Sequence, residues 1–361
     1  LADEVARIAE LENQFGLGTI KNSAADLATV PKGLAGITKA HSSVNATPWA
    51  FISLAVCMMA GTASLPHVMM RYFTTPSVKS ARRSVGWSLF FIFLLYSSAP
   101  MLATLSKISL MDPNLATGII GKSITEVQAL DWYQNWNQAK LMFVSDFNGN
   151  GTLELNEFFM KGSAVVLATP EIAGLPYVIS GLVAAGGMAA AMSTADGLVL
   201  AISNALSHDV YYKIINPKAE TAKRLIVARV LLVLIGFAGA TIAALEIQGI
   251  LGSVIWAFDF AMSGLFFPLV LGVWWKRANA PGAVAGMLLG LISGTAYLIW
   301  VRSGGSGFLG ITQLTFGIVG AAVSLVSMIV VSLITAAPDA ATQKMVDDVR
   351  VPSGKTVLAQ K

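Results

Sequence analysis

Seven stretches of this chain run for about twenty residues or more with scarcely a charge among them, the length of helix that crosses the hydrocarbon of a bilayer. They cover roughly 48–70, 85–106, 173–206, 225–246, 250–275, 283–302 and 312–336. Lipid offers no partner to a bare backbone N–H or C=O, so a segment that lies in it must close its own hydrogen bonds, as a helix does. The sequence therefore predicts an all-α polytopic membrane protein of about seven transmembrane helices. Composition agrees, because 55% of residues are hydrophobic and 12% charged, about half the charge fraction of a water-soluble domain. The third stretch is too long for one upright span, so its ends continue past the bilayer or it tilts. The single cysteine, Cys57, lies inside an apolar run and reads as a free core thiol.

The charges that the spans exclude gather in the loops, and Lys and Arg accumulate on the cytoplasmic side. Arg71, Lys79, Arg82 and Arg83 fill one loop, Lys213, Lys218, Lys223 and Arg224 another, and Lys276 and Arg277 a third; these loops alternate. The intervening loops, 107–172 and 303–311, then face outward, in a plasma membrane or cell inner membrane. The chain divides into an outward-facing segment (1–47), two helices (48–106), an outward loop (107–172), three helices (173–275), two further helices (276–336) and a cytoplasmic tail (337–361). That tail is too short for a catalytic or signalling domain. The chain opens at Leu1 on a mixed polar stretch with no basic-then-apolar leader, which reads as a truncated N-terminus.

The outward loop holds a calcium-type motif, Asp146-Phe-Asn148-Gly-Asn150-Gly151-Thr152-Leu-Glu154-Leu-Asn-Glu157. Its spacing is that of an EF-hand: side chains of Asp146, Asn148 and Asn150, the carbonyl of Thr152, a water-mediated contact at Glu154 and a bidentate Glu157 would give Ca²⁺ its hard oxygens. Leu141 to Phe143 before it and Phe158 to Met160 after it are expected as the flanking helices. The alternative is an Asn/Gly turn that binds nothing. Bound at an extracellular face, Ca²⁺ would be a structural ligand rather than a signal.

Two spans are interrupted by small polar groups, as at the broken helices where transporters place solute and ions. Gly61-Thr62-Ala63-Ser64-Leu65-Pro66 predicts a break near Ser64, since proline removes a helical hydrogen bond. Met192-Ser193-Thr194-Ala195-Asp196 sets adjacent hydroxyls and a carboxylate inside a helix, and such oxygens suit Na⁺. The two hydroxyls could equally bond back to the preceding turn. Asp196 and Asp259, the latter in Trp256-Ala-Phe-Asp259, are ionisable residues inside spans and so candidates for function. Either could instead be protonated and hydrogen-bonded, or paired with an arginine. His67 reads as a packing histidine.

Residues 61–84 (GTASLPHVMMRYFTTPSVKSARRS), 192–213 (MSTADGLVLAISNALSHDVYYK) and 272–287 (GVWWKRANAPGAVAGM) resemble the sodium:solute symporter family, nearest its cation/acetate branch. The resemblance implies the leucine-transporter-type fold of two inverted five-helix repeats. The first five spans would be the second repeat and the last two accessory helices, with the first repeat missing. It also implies one half of a sodium site at the Ala190 carbonyl and the Ser193 and Thr194 hydroxyls, with Asp196 where some relatives hold a second cation. By the same resemblance, Gly61, Thr62, Ser64 and Pro66, and the span of Trp256 and Asp259, lie in regions that bind substrate.

These observations favour secondary active, Na⁺-coupled symport of a small organic solute, an organic anion such as the monocarboxylate acetate. The alternative is a membrane receptor with a transporter-like core and a calcium-binding outward loop. No P-loop, base-paired nucleophile or His/Cys cluster points to an enzyme, no basic stripe points to nucleic acid, and no repeated filter or charged ring points to a channel.

Overall fold

The computed structural model describes residues 48–350 except 113, 147–148, 155–156, 161, 163 and 246–249. The expected outward segment 1–47 and the end of the tail, 351–361, lie outside the described residues. Among the described residues, six helices are long and apolar enough to cross a membrane, and the protein is an integral, multi-pass, all-α membrane protein.

The first apolar run is divided, as its proline requires. Helix α1 (Pro48–Ser64) stops one residue before α2 (Pro66–Met70), which passes into a 3₁₀ turn over Arg71–Thr74. Then come α3 (Val78–Met111), the short helices α4 (Ile124–Gln128), α5 (Asp131–Gln138) and α6 (Val165–Ile172), and α7 (Tyr177–Asn204). Wider π turns over Ala205–Ile215 prolong α7, giving a helix of 39 residues, in keeping with the excess length of the third apolar run. Asn216-Pro217 stops it, since the residue before proline is pushed out of the helical region. Helix α8 (Thr221–Ala244) follows, and α9 (Ile250–Ala261) passes through a π segment (Met262–Phe266) into α10 (Phe267–Trp274). Pro268 has no N–H to return to Gly264, and the helix widens where that bond is missing. Helices α11 (Ala280–Arg302), α12 (Gly317–Ile334) and α13 (Ala340–Arg350) complete the order.

Two units form, with described parts 86–193 and 48–85 plus 194–350. In the first, the described residues between α3 and α7 form a small folded module. Leu110, Ile119, Ile124, Val127, Tyr133, Met142, Val144, Leu153, Ala168 and Ile172 make one buried cluster. Ser106 meets Thr169 hydroxyl to hydroxyl at 2.8 Å, and Trp136 Nε1 donates to Glu171 at 2.9 Å. Strands β1 (Met142–Val144) and β2 (Phe158–Met160) pair antiparallel, with Phe143 opposite Phe159. These are the segments expected as EF-hand helices, and that expectation is corrected here. Each is only three apolar residues, and the rings of Phe143 and Phe159 stack at 4.5 Å, a cross-strand pair that helices on either side of the loop would not form.

The second unit is held by close backbone approach. Gly282, Gly286, Gly290 and Gly294 fall at every fourth residue of α11 and are buried, and α12 buries Gly320, Ser324, Met328 and Ser332. A Cβ on Gly286 would come within 3.0 Å of Met328 and 3.1 Å of the Ser324 carbonyl. Lipid supplies no hydrophobic drive between helices, so small residues that let helices touch supply van der Waals contact instead. At the end of α12, Arg277 donates to the Thr335 carbonyl at 2.7 Å, closing that helix. Asn279 accepts from the Gly282 amide at 3.0 Å and donates to the Thr335 hydroxyl at 2.7 Å, capping α11.

Candidate functional site

The break between α1 and α2 is a complete hydrogen-bond rearrangement. Pro66 cannot donate to the Thr62 carbonyl, so the Leu65 amide takes that acceptor at 3.4 Å. The Gly61 carbonyl, which loses Leu65, receives the Ser64 hydroxyl at 3.0 Å, and the same hydroxyl lies 2.9 Å from the Ala60 carbonyl. Leu65 is extended, with φ −68° and ψ 117°. Val68 bonds Leu65, leaving the Ser64 carbonyl without its helical donor. Thr62 turns its hydroxyl back to Met58 at 2.6 Å. Thus Ser64, wholly buried, shapes the break, and Pro66 causes it. Gly61 serves packing, since a Cβ there would lie 2.5 Å from the Phe258 carbonyl oxygen of α9.

Ala190, Ser193 and Thr194 share one face of α7 by their spacing of three and four residues, and Asp196 lies three beyond Ser193. The Ser193 hydroxyl donates to the Ala190 carbonyl at 3.0 Å. This is the backward bond that competes with an ion, and it also sets two oxygens of the expected sodium half-site side by side. Ser193, Thr194 and Asp196 are exposed. One residue on, the backbone of Gly197 runs past the α2 region, where a Cβ would meet Arg71 Nη2 at 3.2 Å and His67 at 4.0 Å.

Trp256 donates its indole N–H to the Gln313 carbonyl at 2.9 Å, with the Arg302 guanidinium 5.1 Å above its ring. Asp259 is 0% exposed, on the face of α9 that meets α1 and the start of α12. Cys57 is equally buried and lies beside it. In sequence Cys57 reads as a packing thiol, and nothing in its separation from Asp259 along the chain signals that the two are neighbours.

In the module between α3 and α7, Asp146 accepts from the amides of Gly149 at 2.7 Å and Gly151 at 2.9 Å. Asn150 Oδ1 accepts from Thr152 at 2.7 Å, and Glu157 Oε2 accepts from Glu154 at 2.9 Å. Gly149 and Gly151 have φ of +71° and +70°, which glycine adopts without the cost borne by other residues. The loop also pairs with residues before α4, where Leu153 donates to Lys122 at 2.8 Å and Gly121 to Leu153 at 2.9 Å. Asn148 lies outside the described residues. Among those described, no three His, Cys, Asp or Glu side chains are placed to hold a metal ion together.

Residues 161–290, which include α7 and the Ser193-Thr194 pair, match the profile of the sodium:solute symporter family. The chain belongs to the sodium:solute symporter family. It is 41% identical over 295 residues to an uncharacterized symporter of Cupriavidus necator, covering 79% of this chain and 42% of that protein. It is 28% identical over 245 residues to a monocarboxylic acid transporter of Corynebacterium glutamicum, covering 67% of this chain and 37% of the relative. The chain thus spans about two fifths of the length of the curated relatives it matches. The matched region takes in α7, α8, α9 and α10.

Proposed function

We propose that this protein carries out Na⁺-coupled symport of a small organic anion, a monocarboxylate such as acetate. The observation that carries the reading is the helix break at Ser64–Pro66 in a chain of this family, because a broken helix frees backbone groups at membrane depth only where they line a cavity or lie within protein. Gly61, Thr62, Ser64 and Pro66 form the solute-reading region, with Trp256 and Asp259 on the neighbouring helix. Ala190, Ser193, Thr194 and Asp196 supply this chain's share of the cation site. The likeness to a monocarboxylic acid transporter supports the solute class. The 146–157 loop, through Asp146, Asn148, Asn150, Thr152, Glu154 and Glu157, takes Ca²⁺ as a structural ligand; its support is the ligand spacing alone.

Uptake of radiolabelled acetate by the full-length protein in proteoliposomes, with and without an inward Na⁺ gradient, tests the transport reading. Accumulation only with the gradient is the expected result. Binding of solute with no uptake under any gradient would favour a receptor. For the loop, Ca²⁺ and chelator giving one melting temperature, unchanged in Asp146→Ala, overturns the metal assignment.

A further inference from the structure

We propose that Asp259 is a proton-binding site, loaded and unloaded as the seam between α1, α9 and α12 tightens and opens. The carboxylate is fully buried, and neither of its oxygens has a hydrogen-bond partner. The thiol of Cys57 and the amides of Phe316 and Gly317, at the start of α12, surround it without reaching bonding geometry. The approach is close: a Cβ on Gly317 would lie 2.9 Å from Asp259 Oδ1, so no side chain can come between them.

Two effects oppose each other at this position. Removal from water favours the neutral acid, because an unpaired buried charge is costly. The unbonded amides at the start of α12, an 18-residue helix, favour the anion. Which one wins depends on how closely α9 seats against α12, so any motion at the seam moves a proton. The reaction is simple association of H⁺ from water with the carboxylate, and the reverse.

No side chain of the seam offers a permanent counter-charge. Helices α1 and α12 contain no charged residue, and residues 250–274 contain only Asp259. Cys57 faces it from α1, while Ser263 spends its hydroxyl on the Asp259 backbone carbonyl at 2.7 Å. Helix α11 brings Tyr297, bonded to the Ile311 carbonyl, and Arg302, above the Trp256 ring. The surroundings are thus a thiol and N–H donors rather than the oxygens a hard metal cation needs. The ligand that satisfies such a carboxylate is a proton. Its consequence for transport rests on the symport reading; the site itself does not.

An infrared pH titration of the purified full-length protein reads the site directly. The expected result is a buried carboxylic-acid C=O band that fades as pH rises, is missing from Asp259→Asn and is displaced in Asp259→Glu. Solute uptake at a fixed Na⁺ gradient should change several-fold between mildly acidic and mildly alkaline pH in the wild type and lose that dependence in Asp259→Asn. The same titrating band in Asp259→Asn, or no such band in the wild type, overturns the proposal. Should Asp259→Asn not reach the membrane, an unmoved band in Asp259→Glu overturns it. A wild type that takes up no solute sinks the symport reading and leaves the infrared result to decide Asp259.

Discussion

Gly61 of α1 and Phe258 of α9 meet backbone to backbone, so closely that a Cβ on Gly61 would lie 2.5 Å from the Phe258 carbonyl oxygen. The contact sits three residues from the helix break on one side and one residue from Asp259 on the other. Gly61→Ala is expected to force α1 and α9 apart, at the roughly 1–3 kcal/mol typical of overpacking. Gly236→Ala on α8, where a Cβ meets nothing within 4 Å, is the matched control. Thermal unfolding of the two purified variants checks this: Gly61→Ala should melt below the wild type and Gly236→Ala beside it. Equal melting points would show that the seam yields freely.

The proposed cation half-site makes a different demand. Ser193→Ala, Thr194→Ala removes two exposed hydroxyls, one of which donates back to the Ala190 carbonyl at 3.0 Å, a bond that a helix does not need. Uptake driven by a Na⁺ gradient should nevertheless fall by at least about tenfold, as a cation losing about 1.4 kcal/mol or more of binding requires. Accumulation at wild-type level would remove this face of α7 from ion coupling.

Tyr133 organises the outer module through its phenol oxygen, which accepts from the Val144 amide at 3.1 Å and from Asn137 at 3.3 Å. Tyr133→Phe strands a buried amide and should cost about 1–3 kcal/mol, read as a lower melting temperature of the module, with the membrane helices unaffected. Burial also holds the Tyr133 phenol above its ordinary range, more than the Val144 amide lowers it. A group whose folded value is raised stabilises fully below its unfolded value and loses that contribution as pH rises through the folded one. The module should therefore weaken in strong alkali, and Tyr133→Phe should blunt that loss.

Helix α13 is tethered by Lys276, whose ammonium lies 2.7 Å from Asp347, with Arg350 5.6 Å above the ring of Trp274. The hydrogen bond from Lys276 holds the Asp347 carboxyl below its usual range. A depressed carboxylate contributes above its unfolded value, and the contribution vanishes as pH falls through the folded one. Both side chains are about half exposed, so the tether is weak and salt-sensitive. Spin labels on α13 and α10 should separate in acid or high salt, and Lys276→Ala should reproduce that separation at neutral pH. Distances unmoved in all three conditions would assign the docking to apolar contact.

Much of this molecule is legible in one dimension because lipid is a severe solvent. Uncharged runs of span length read as helices, and Pro66 marks the break in the run that contains it. The β1–β2 pair was hidden by its brevity: three apolar residues beside a calcium-type loop carry the same letters whether they wind or extend, and only the stacking of Phe143 on Phe159 decides.

The tertiary structure alone determined which polar groups meet. Sequence marks Ser64, Ser193 and Asp259 as unusual in a span, and cannot tell that Ser64 repairs its own helix while Asp259 has no donor. The glycines of α1, α11 and α12 read as generic packing until their partners are known, because how near two backbones come depends on both helices at once. Burial of a charge is likewise a property of everything around it. The sequence by itself established a multi-pass membrane chain with a broken helix; the packing of α1, α9 and α12 decided that its buried carboxylate would stand at a helix N-terminus with no bonded partner.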